Sequence, residues 1–343
     1  MSGANVAGDV FMHGATFDGD LDANALQVGG DLSMGSNDQS KASFKGVSLI
    51  SAKVAGNVFM NGAIGTKRIN MVFARIGVSL DISGTTLAEL DLSGASIAGD
   101  LRLSGFKEPF TPTRWRTAEG KPGHLILRNT RIANLMDAQD VWPTKGYLHL
   151  DGFTFARLGG FAGQTGPEMR ARGIDWWDDW ARRDPAYSPT PYEQLTAALV
   201  AAGDRAGADE VRFLSRVRQR ETEKNWWPWI FSGFLQYVAG FGIGTYTFRV
   251  LYPVLGISVL GALYLWKYVP AAYQHGPIWC FGASLSRLLR VIDINNEFTE
   301  FFNDPGRTRL TSWQSFVFSL IGIVGWVLGA ILIAAISGLM QKP

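Results

Sequence analysis

Gly8-Asp9-Val10-Phe11-Met12-His13-Gly14-Ala15 returns as Gly30-Asp31-Leu32-Ser33-Met34-Gly35, as Gly56-Asn57-Val58-Phe59-Met60-Asn61-Gly62-Ala63, and as Gly99-Asp100-Leu101-Arg102-Leu103-Ser104-Gly105. Weaker echoes stand at Gly19-Asp20-Leu21, at Val78-Ser79-Leu80-Asp81-Ile82-Ser83-Gly84 and at Leu90-Asp91-Leu92-Ser93-Gly94-Ala95. The unit reads G-D-φ-x-φ-x-G-A-x-φ, where φ is apolar. Apolar residues two apart suit a very short strand with one buried face. The Gly-Asp and Gly-Ala pairs suit corners, where glycine accepts positive φ and Asp bonds nearby backbone N–H groups. Glycine recurs too often for a helix. No proline precedes Pro109, as expected when backbone N–H groups are committed to ladders. Strands this short hold only when successive coils stack, so residues 1–160 are expected to form a parallel β-solenoid. Glycines 8, 19 and 30 lie eleven apart, so two units make a coil of about 22 residues. A short insertion near Gly35–Ser40 shifts the frame once. Roughly seven coils then rise about 33 Å at ~4.8 Å each.

From Ile82 the residues Ile82, Leu87, Leu92 and Ile97 step by five, the period of the pentapeptide-repeat β-helix. Leu148-His149-Leu150-Asp151-Gly152-Phe153-Thr154-Phe155, Pro191-Tyr192-Glu193-Gln194-Leu195 and a C-terminal pair of apolar segments extend the match over most of the chain. The chain resembles the bacterial membrane-anchored, pentapeptide-like β-solenoid proteins, a group sometimes labelled membrane-associated oxidoreductases. Strict A-(D/N)-L-x-x units are few. The resemblance implies a right-handed β-helix tethered to the bacterial inner membrane.

Beyond the repeat, residues 161–190 read as cap and linker. Ile174-Asp175-Trp176-Trp177-Asp178-Asp179-Trp180 has the pattern of a short amphipathic helix, and a solenoid needs a cover for its last coil. Trp176, Trp177 and Trp180 are the expected cap; an aromatic and acidic sugar site is the alternative. Asp184-Pro185 through Pro191 punctuates a linker. Residues 191–224 read as a helical hairpin. Tyr192, Leu195, Leu199 and Ala202 share one face, Gly203 ends the first helix, and Val211, Leu214 and Val217 mark the second. Arg212, Arg216, Arg218, Arg220 and Lys224 suit the C-terminal end of that helix. They also form a candidate collar for anionic lipid, each worth ~1 kcal/mol at a membrane surface.

Leu310–Gln341 carries no formal charge over 32 residues, and a span needs about 20. Residues 312–341 are therefore expected to cross the membrane. Residues 247–268 form the other expected span, flanked by Arg249 and Lys267, which can snorkel. Residues 225–246 read as an interfacial helix carrying Trp226, Trp227 and Trp229, closed by the break Gly240-Phe241-Gly242-Ile243-Gly244. A third span at 225–248 is the alternative. The basic residues ahead of the first span place both termini in the cytoplasm. Residues 269–311 are then an extracytoplasmic or re-entrant connection, with a short helix over Phe281–Asp293. Gly322, Gly325, Gly329 and Ser337 give the second span small-residue notches. Arg287, Arg290 and Asp293 are the candidate polar residues of a two-span pore, although no T-V-G-Y-G filter is present.

Catalytic chemistry is hard to find. The 32 basic and 30 acidic side chains leave a net charge of +2, too small a field to argue for nucleic acid. One cysteine, Cys280, excludes an intrachain disulfide framework. His13, His124, His149 and His275 lack metal-ligand spacing. Gly240-Phe241-Gly242-Ile243-Gly244-Thr245 fails G-x-G-x-x-G at its last position and has no strand–helix context. Gly65-Thr66-Lys67-Arg68 is no phosphate loop, and there is no G-x-S-x-G elbow. Asp9, Asp20, Asp31, Asp81, Asp91 and Asp100 are expected to bond corners rather than calcium. A carbohydrate-active β-helix would need carboxylates clustered on one face. Met1–Asp9 has neither a basic n-region nor an apolar core, so no signal peptide is expected. The expectation is a non-enzymatic inner-membrane platform with no cofactor and no metal. Its expected partners are membrane lipid, a cytoplasmic protein, and further copies joined through the spans or through the open ladder edge near Val6. The second reading is an oligomeric two-span ion channel with a cytoplasmic solenoid; the third is an oxidoreductase or carbohydrase.

Overall fold

The structure, a computed structural model, describes residues 1–37, 39–105, 112–163, 165–289, 295–303 and 311–340, leaving aside the side chains of 303 and 334–340. It divides into two compact units, Met1–Gln219 and Arg220–Pro343.

The first unit is a parallel β-solenoid closed by helices. Val6, Val28, Val54, Ile76, Ile97, Ile132 and Phe155 pair in register, each strand parallel to the next. The steps between them are 22, 26, 22, 21, 35 and 23 residues, which makes about six turns and ~29 Å of stack rather than the expected seven turns. The 26-residue step holds the insertion near Gly35. The 35-residue step holds an excursion in which Ser104 bridges Pro112 and Arg116 bridges Pro122, both antiparallel. That excursion makes the step 13 residues longer than a 22-residue coil and, with the insertion near Gly35, takes up most of the length of the missing turn.

Each coil has four inward-facing pairs. Ala74/Ile76, Leu80/Ile82, Thr85/Leu87 and Leu90/Leu92 are buried in succession before Ala95/Ile97 begins the next coil. The eleven-residue unit of the sequence therefore covers two sides. Corners set the glycine demand. Gly94 sits at φ +67°, and a Cβ there would meet the Phe73 ring at 2.5 Å. Aspartates bond the corners as the repeat implies. The Asp31 N–H donates to Asp9 Oδ1 at 2.8 Å and the Asn57 N–H to Asp31 Oδ1 at 2.6 Å. Asp81 and Asp91 accept from the N–H groups of Ser83 and Ser93. Asp100 accepts from Asn134 Nδ2 and the Phe161 N–H. Three ladders run along the stack. The first two begin at Asn5–Val6 and Val10–Phe11 and merge at Ser96–Arg102. The third comprises Thr16–Asp22, Ser43–Ser48, Ile64–Asn70, Thr86–Asp91, His124–Ile126 and Leu148–His149.

After the last strand, Thr154–Leu158, come α1 (Gly166–Arg170), α2 (Ile174–Arg182), α3 (Thr190–Ala201) and α4 (Arg205–Glu221). Gly203 turns the α3–α4 hairpin at φ +88°, and Asp204 Oδ1 accepts the Gly207 N–H at the start of α4. One apolar core runs without interruption from the coils into these helices, through Leu150, Phe155, Trp177, Trp180, Leu195 and Val211.

The second unit holds α5 (Trp226–Ala239), a 3₁₀ segment Gly244–Val250 leading into α6 (Leu251–Tyr268), α7 (Pro270–Tyr273), α8 (Gly276–Leu288), α9 (Asn296–Asn303) and α10 (Ser312–Met340). Two helical stretches among the described residues are long and apolar enough to cross a membrane, Gly244–Tyr268 and Ser312–Ile333. The first starts three residues earlier than its sequence pattern suggests. α5 does not join it, because positive φ at Gly240, Phe241, Gly242 and Gly244 breaks the chain between them. The short helix of the connection, α8, begins at Gly276 rather than Phe281.

Candidate functional site

The outward side of the third ladder carries most of the chemistry of the solenoid. Period-two alternation sends Leu21, Val47, Ile69, Leu90, Leu125 and Leu148 inward and their neighbours out. One outward column is continuous: Asp22 faces Ser48, Ser48 faces Asn70, Asn70 faces Asp91, Asp91 faces Ile126, and Ile126 faces His149. In the parallel column Asp20 faces Gly46, Arg68 faces Glu89, and Glu89 faces His124. Parallel in-register pairing sets such neighbours ~4.8 Å apart.

At one end of this face Asp20, Asp22, Ser48, Lys67, Arg68 and Asn70 line a cleft of about 230 Å³. Gly46 keeps it open, since a Cβ there would meet Asp20 Oδ1 at 2.8 Å. Arg68 crosses the middle, pairing with Glu89 at 3.2 Å and hydrogen-bonding Asp91. At the other end His124 stacks on His149 at 6.2 Å between ring centroids and lies 4.7 Å from Tyr147. Arg128 Nη2 approaches His149 Nδ1 at 3.4 Å. Burial, and after it the Arg128 charge, pulls the His149 imidazole below the usual histidine range. The face thus sets acids, amides, a hydroxyl and cations on a rigid grid, with aromatic rings at one end. Carboxylates gather here as a carbohydrase would require, yet Glu89 and Asp91 are both engaged by Arg68.

The sequence scattered these residues. His124 and His149 are 25 apart, one coil of the stack, and comparison at coil spacing would have paired them. Asp20, grouped in the sequence with the corner aspartates, instead lines the cleft. Among the described residues no group of three or more His, Cys, Asp or Glu side chains is placed to hold a metal.

Within the cap, Trp177 and Trp180 are buried in the solenoid core, and Trp176 packs half-buried against it. Arg172 lies over Trp176 at 4.3 Å and forms a fully buried ion pair with Asp137 at 2.9 Å. Trp142 Nε1 also donates to Asp137. Burial pushes the Asp137 carboxyl upward, with Arg172 opposing it.

The basic collar divides. Arg212 is half-exposed and pairs with Asp209 at 3.1 Å, and Arg216 donates to Gln219 Oε1 at 3.0 Å. Lys224 is exposed. Arg218 is the correction: only 6 % exposed, it donates to the carbonyls of Ala181, Asp184 and Ala186 and to the Tyr192 hydroxyl. It is a core cation, held by carbonyls at the end of α2 and just beyond. In the second unit Arg220 donates to Gln236 Oε1 at 2.8 Å and stacks over Trp229 at 4.6 Å.

The candidate pore residues also separate. α8 runs back along α6: Cys280 and Ala283 share a core with Leu265 and Val269, and Leu288 shares one with Val250 and Val254. Its end meets α10 at Gly325, where a Cβ would lie 1.8 Å from the Leu288 carbonyl oxygen. Gly322 lies beside the Arg287 carbonyl with room for a Cβ at 3.7 Å. Gly325 is therefore a contact between two helices of one chain. Gly329 is buried on α10. Arg287 Nε points at the Phe318 carbonyl at 3.4 Å, with its guanidinium 5.3 Å from the Phe302 ring. Arg290 and Asp293 lie outside the described residues, as does the side chain of Ser337.

Comparison of the chain with protein-family models, with curated proteins and with solved structures finds no match in any of the three. What fold and surface define together is a parallel β-solenoid followed by helices, two of them apolar enough to span a membrane.

Proposed function

We propose that this chain is a non-enzymatic platform of the bacterial inner membrane, a pentapeptide-like solenoid anchored by two spans with both termini in the cytoplasm. The outer face of its third ladder is the binding surface. The observation that carries this reading is the unbroken column from Asp22 to His149, which stays polar but for Ile126. Solenoids present extended surfaces of this kind. The apolar exteriors of α6 and α10 supply the anchor: Leu260 and Ile323 are 68 % and 64 % exposed. Arg212, Arg216 and Lys224 remain as anionic-lipid contacts; Arg218 does not.

A photo-crosslinker at Ser48 in whole cells tests the platform. One discrete adduct that Asp22→Lys abolishes supports it, and no adduct, or one indifferent to Asp22→Lys, counts against it. Labelling of Ser48→Cys by an impermeant maleimide only after the cells are broken supports the cytoplasmic placement.

The re-entry of α8 along α6, ending at Gly325 midway along α10, favours one second reading, an oligomeric pore. Ion flux through liposomes holding the purified protein, against empty liposomes, tests it. Gly325→Leu does not serve as the pore variant, because it breaks packing within the chain.

A further inference from the structure

The last solenoid strand, α1 and the C-terminal half of α3 flank a half-open surface pocket of about 260 Å³ that belongs to none of the surfaces above. Its walls are Ala156, Leu158, Gly163, Ala198, Ala201 and Ala202, with Arg157 and Arg170 as its only charged residues. On α3, positions 198, 201 and 202 fall on one helix face. Three methyl side chains there leave open the space that larger residues would fill. The Arg170 guanidinium is folded back over the start of its own helix: Nη1 lies 3.0 Å from the Cβ position at Gly166, and the Leu158 carbonyl oxygen is equally close to that point. Gly166 is thus the residue that admits the guanidinium beside the strand end. Among the described residues neither Arg157 nor Arg170 takes part in a salt bridge.

Two arginines line this pocket with no carboxylate in its wall. Arginine stays charged at any working pH and offers a planar fork of N–H donors that fits phosphate oxygens. A dianion balances both cations, while the methyl-lined wall suits a short carbon stem. The volume sits just below the range of drug-sized pockets, so the occupant is small. We infer that this cavity binds a small phosphomonoester, its phosphate held by Arg157 and Arg170 and its carbon stem against Ala198, Ala201 and Ala202. The inference is independent of the platform reading, since it uses a different surface.

Calorimetric titration of the full chain in nonionic detergent and phosphate-free buffer tests it. The probes are glycerol 3-phosphate, inorganic phosphate, glycerol, succinate and vesicles containing phosphatidic acid. Glycerol 3-phosphate is expected to bind, inorganic phosphate more weakly, and glycerol not at all. Arg157→Gln and Arg170→Gln should each weaken binding by roughly tenfold or more, with Arg170→Lys falling between wild type and Arg170→Gln. Ala201→Leu should abolish binding by filling the space without altering charge. Arg131→Gln, outside the cavity, should bind as wild type does. Tighter binding to phosphatidic-acid vesicles than to glycerol 3-phosphate, lost in both Arg→Gln variants, would make the source a lipid headgroup and keep the site. The inference is overturned if folded protein shows no binding at millimolar glycerol 3-phosphate and none to the vesicles. It falls equally if the Arg→Gln variants bind like wild type, or if succinate binds and the phosphate ester does not.

Discussion

The two units use the same apolar residue types in opposite ways. In the solenoid Leu32, Leu80, Leu87 and Leu101 are completely enclosed, and the outward columns of the third ladder are mainly Asp, Asn, Ser, Glu and Arg, with isolated exposed rings such as Phe11 and Phe73 elsewhere. In the second unit Leu260, Leu263, Ile323 and Trp326 are more than half exposed, and only small clusters are buried. Only a third or less of each candidate span is buried. A folded chain in water does not leave a surface of that kind bare. The surface of the first unit suits water and that of the second, with its two candidate spans, suits hydrocarbon, and the difference decides what each substitution is expected to do.

The largest contrast should come from charge. Asp137→Ala strands Arg172 in a fully buried site, and losing one member of such a pair costs about 3–5 kcal/mol. Thermal unfolding of the β signal by circular dichroism should report it. Asp137→Ala combined with Arg172→Met should recover part of the loss, because no buried charge is then left alone. Should the single variant unfold like wild type, the cap is not part of the solenoid core.

Leucine truncation sharpens the comparison next. Leu101→Ala removes an enclosed side chain and should cost about 2–5 kcal/mol, read as faster hydrogen exchange of the coil amides. Leu260→Ala, on an exposed surface, should stay within about 0.5 kcal/mol of wild type in detergent. Equal penalties would show Leu260 to be covered, most simply by another copy of the chain. Gly325→Leu stands below Leu101→Ala at about 1–3 kcal/mol, the range for overpacking. Its Cβ needs space held by the Leu288 carbonyl. Thermal denaturation of the second unit followed by tryptophan fluorescence should show the loss without change in the β signal.

The fold was legible in the sequence because a solenoid repeats its physical problem every coil. Glycine corners, Asp caps and inward pairs recur at nearly constant spacing, and the two candidate spans stand out by composition alone. Coil number was overcounted because the excursion after Ser104 looks in sequence like decayed repeat. Arg218 was misread for a different reason. It lies seven residues beyond Val211, on the buried face of α4, but composition cannot tell a cation at the lipid surface from one held by three carbonyls. The polar face was hidden because its residues are neighbours only across coils. Register, not local pattern, brings Arg68 to Glu89 and His124 to His149.

The smallest expected effect tests that cross-coil proximity directly. His149 titrates below the usual histidine range, chiefly because it is partly buried and then because Arg128 stands beside it. Between its folded pKa and ~6.5, the unfolded chain binds more protons than the folded one, so stability rises with pH through that window. The contribution is complete above ~6.5 and is lost as the pH falls toward the folded value. Denaturant unfolding of wild type should therefore weaken on acidification below ~6.5 by a fraction that His149→Gln removes. Arg128→Gln should leave the onset near ~6.5 unchanged and raise the lower end of the window, narrowing it, because a repelling charge has gone. If His149→Gln leaves the pH dependence of the solenoid unchanged, the histidine end of the third ladder is more open to water than the stacked rings of His124 and His149 indicate. The polar face would then offer its aromatic end as flexible surface and its cleft around Gly46 as the only preorganised part.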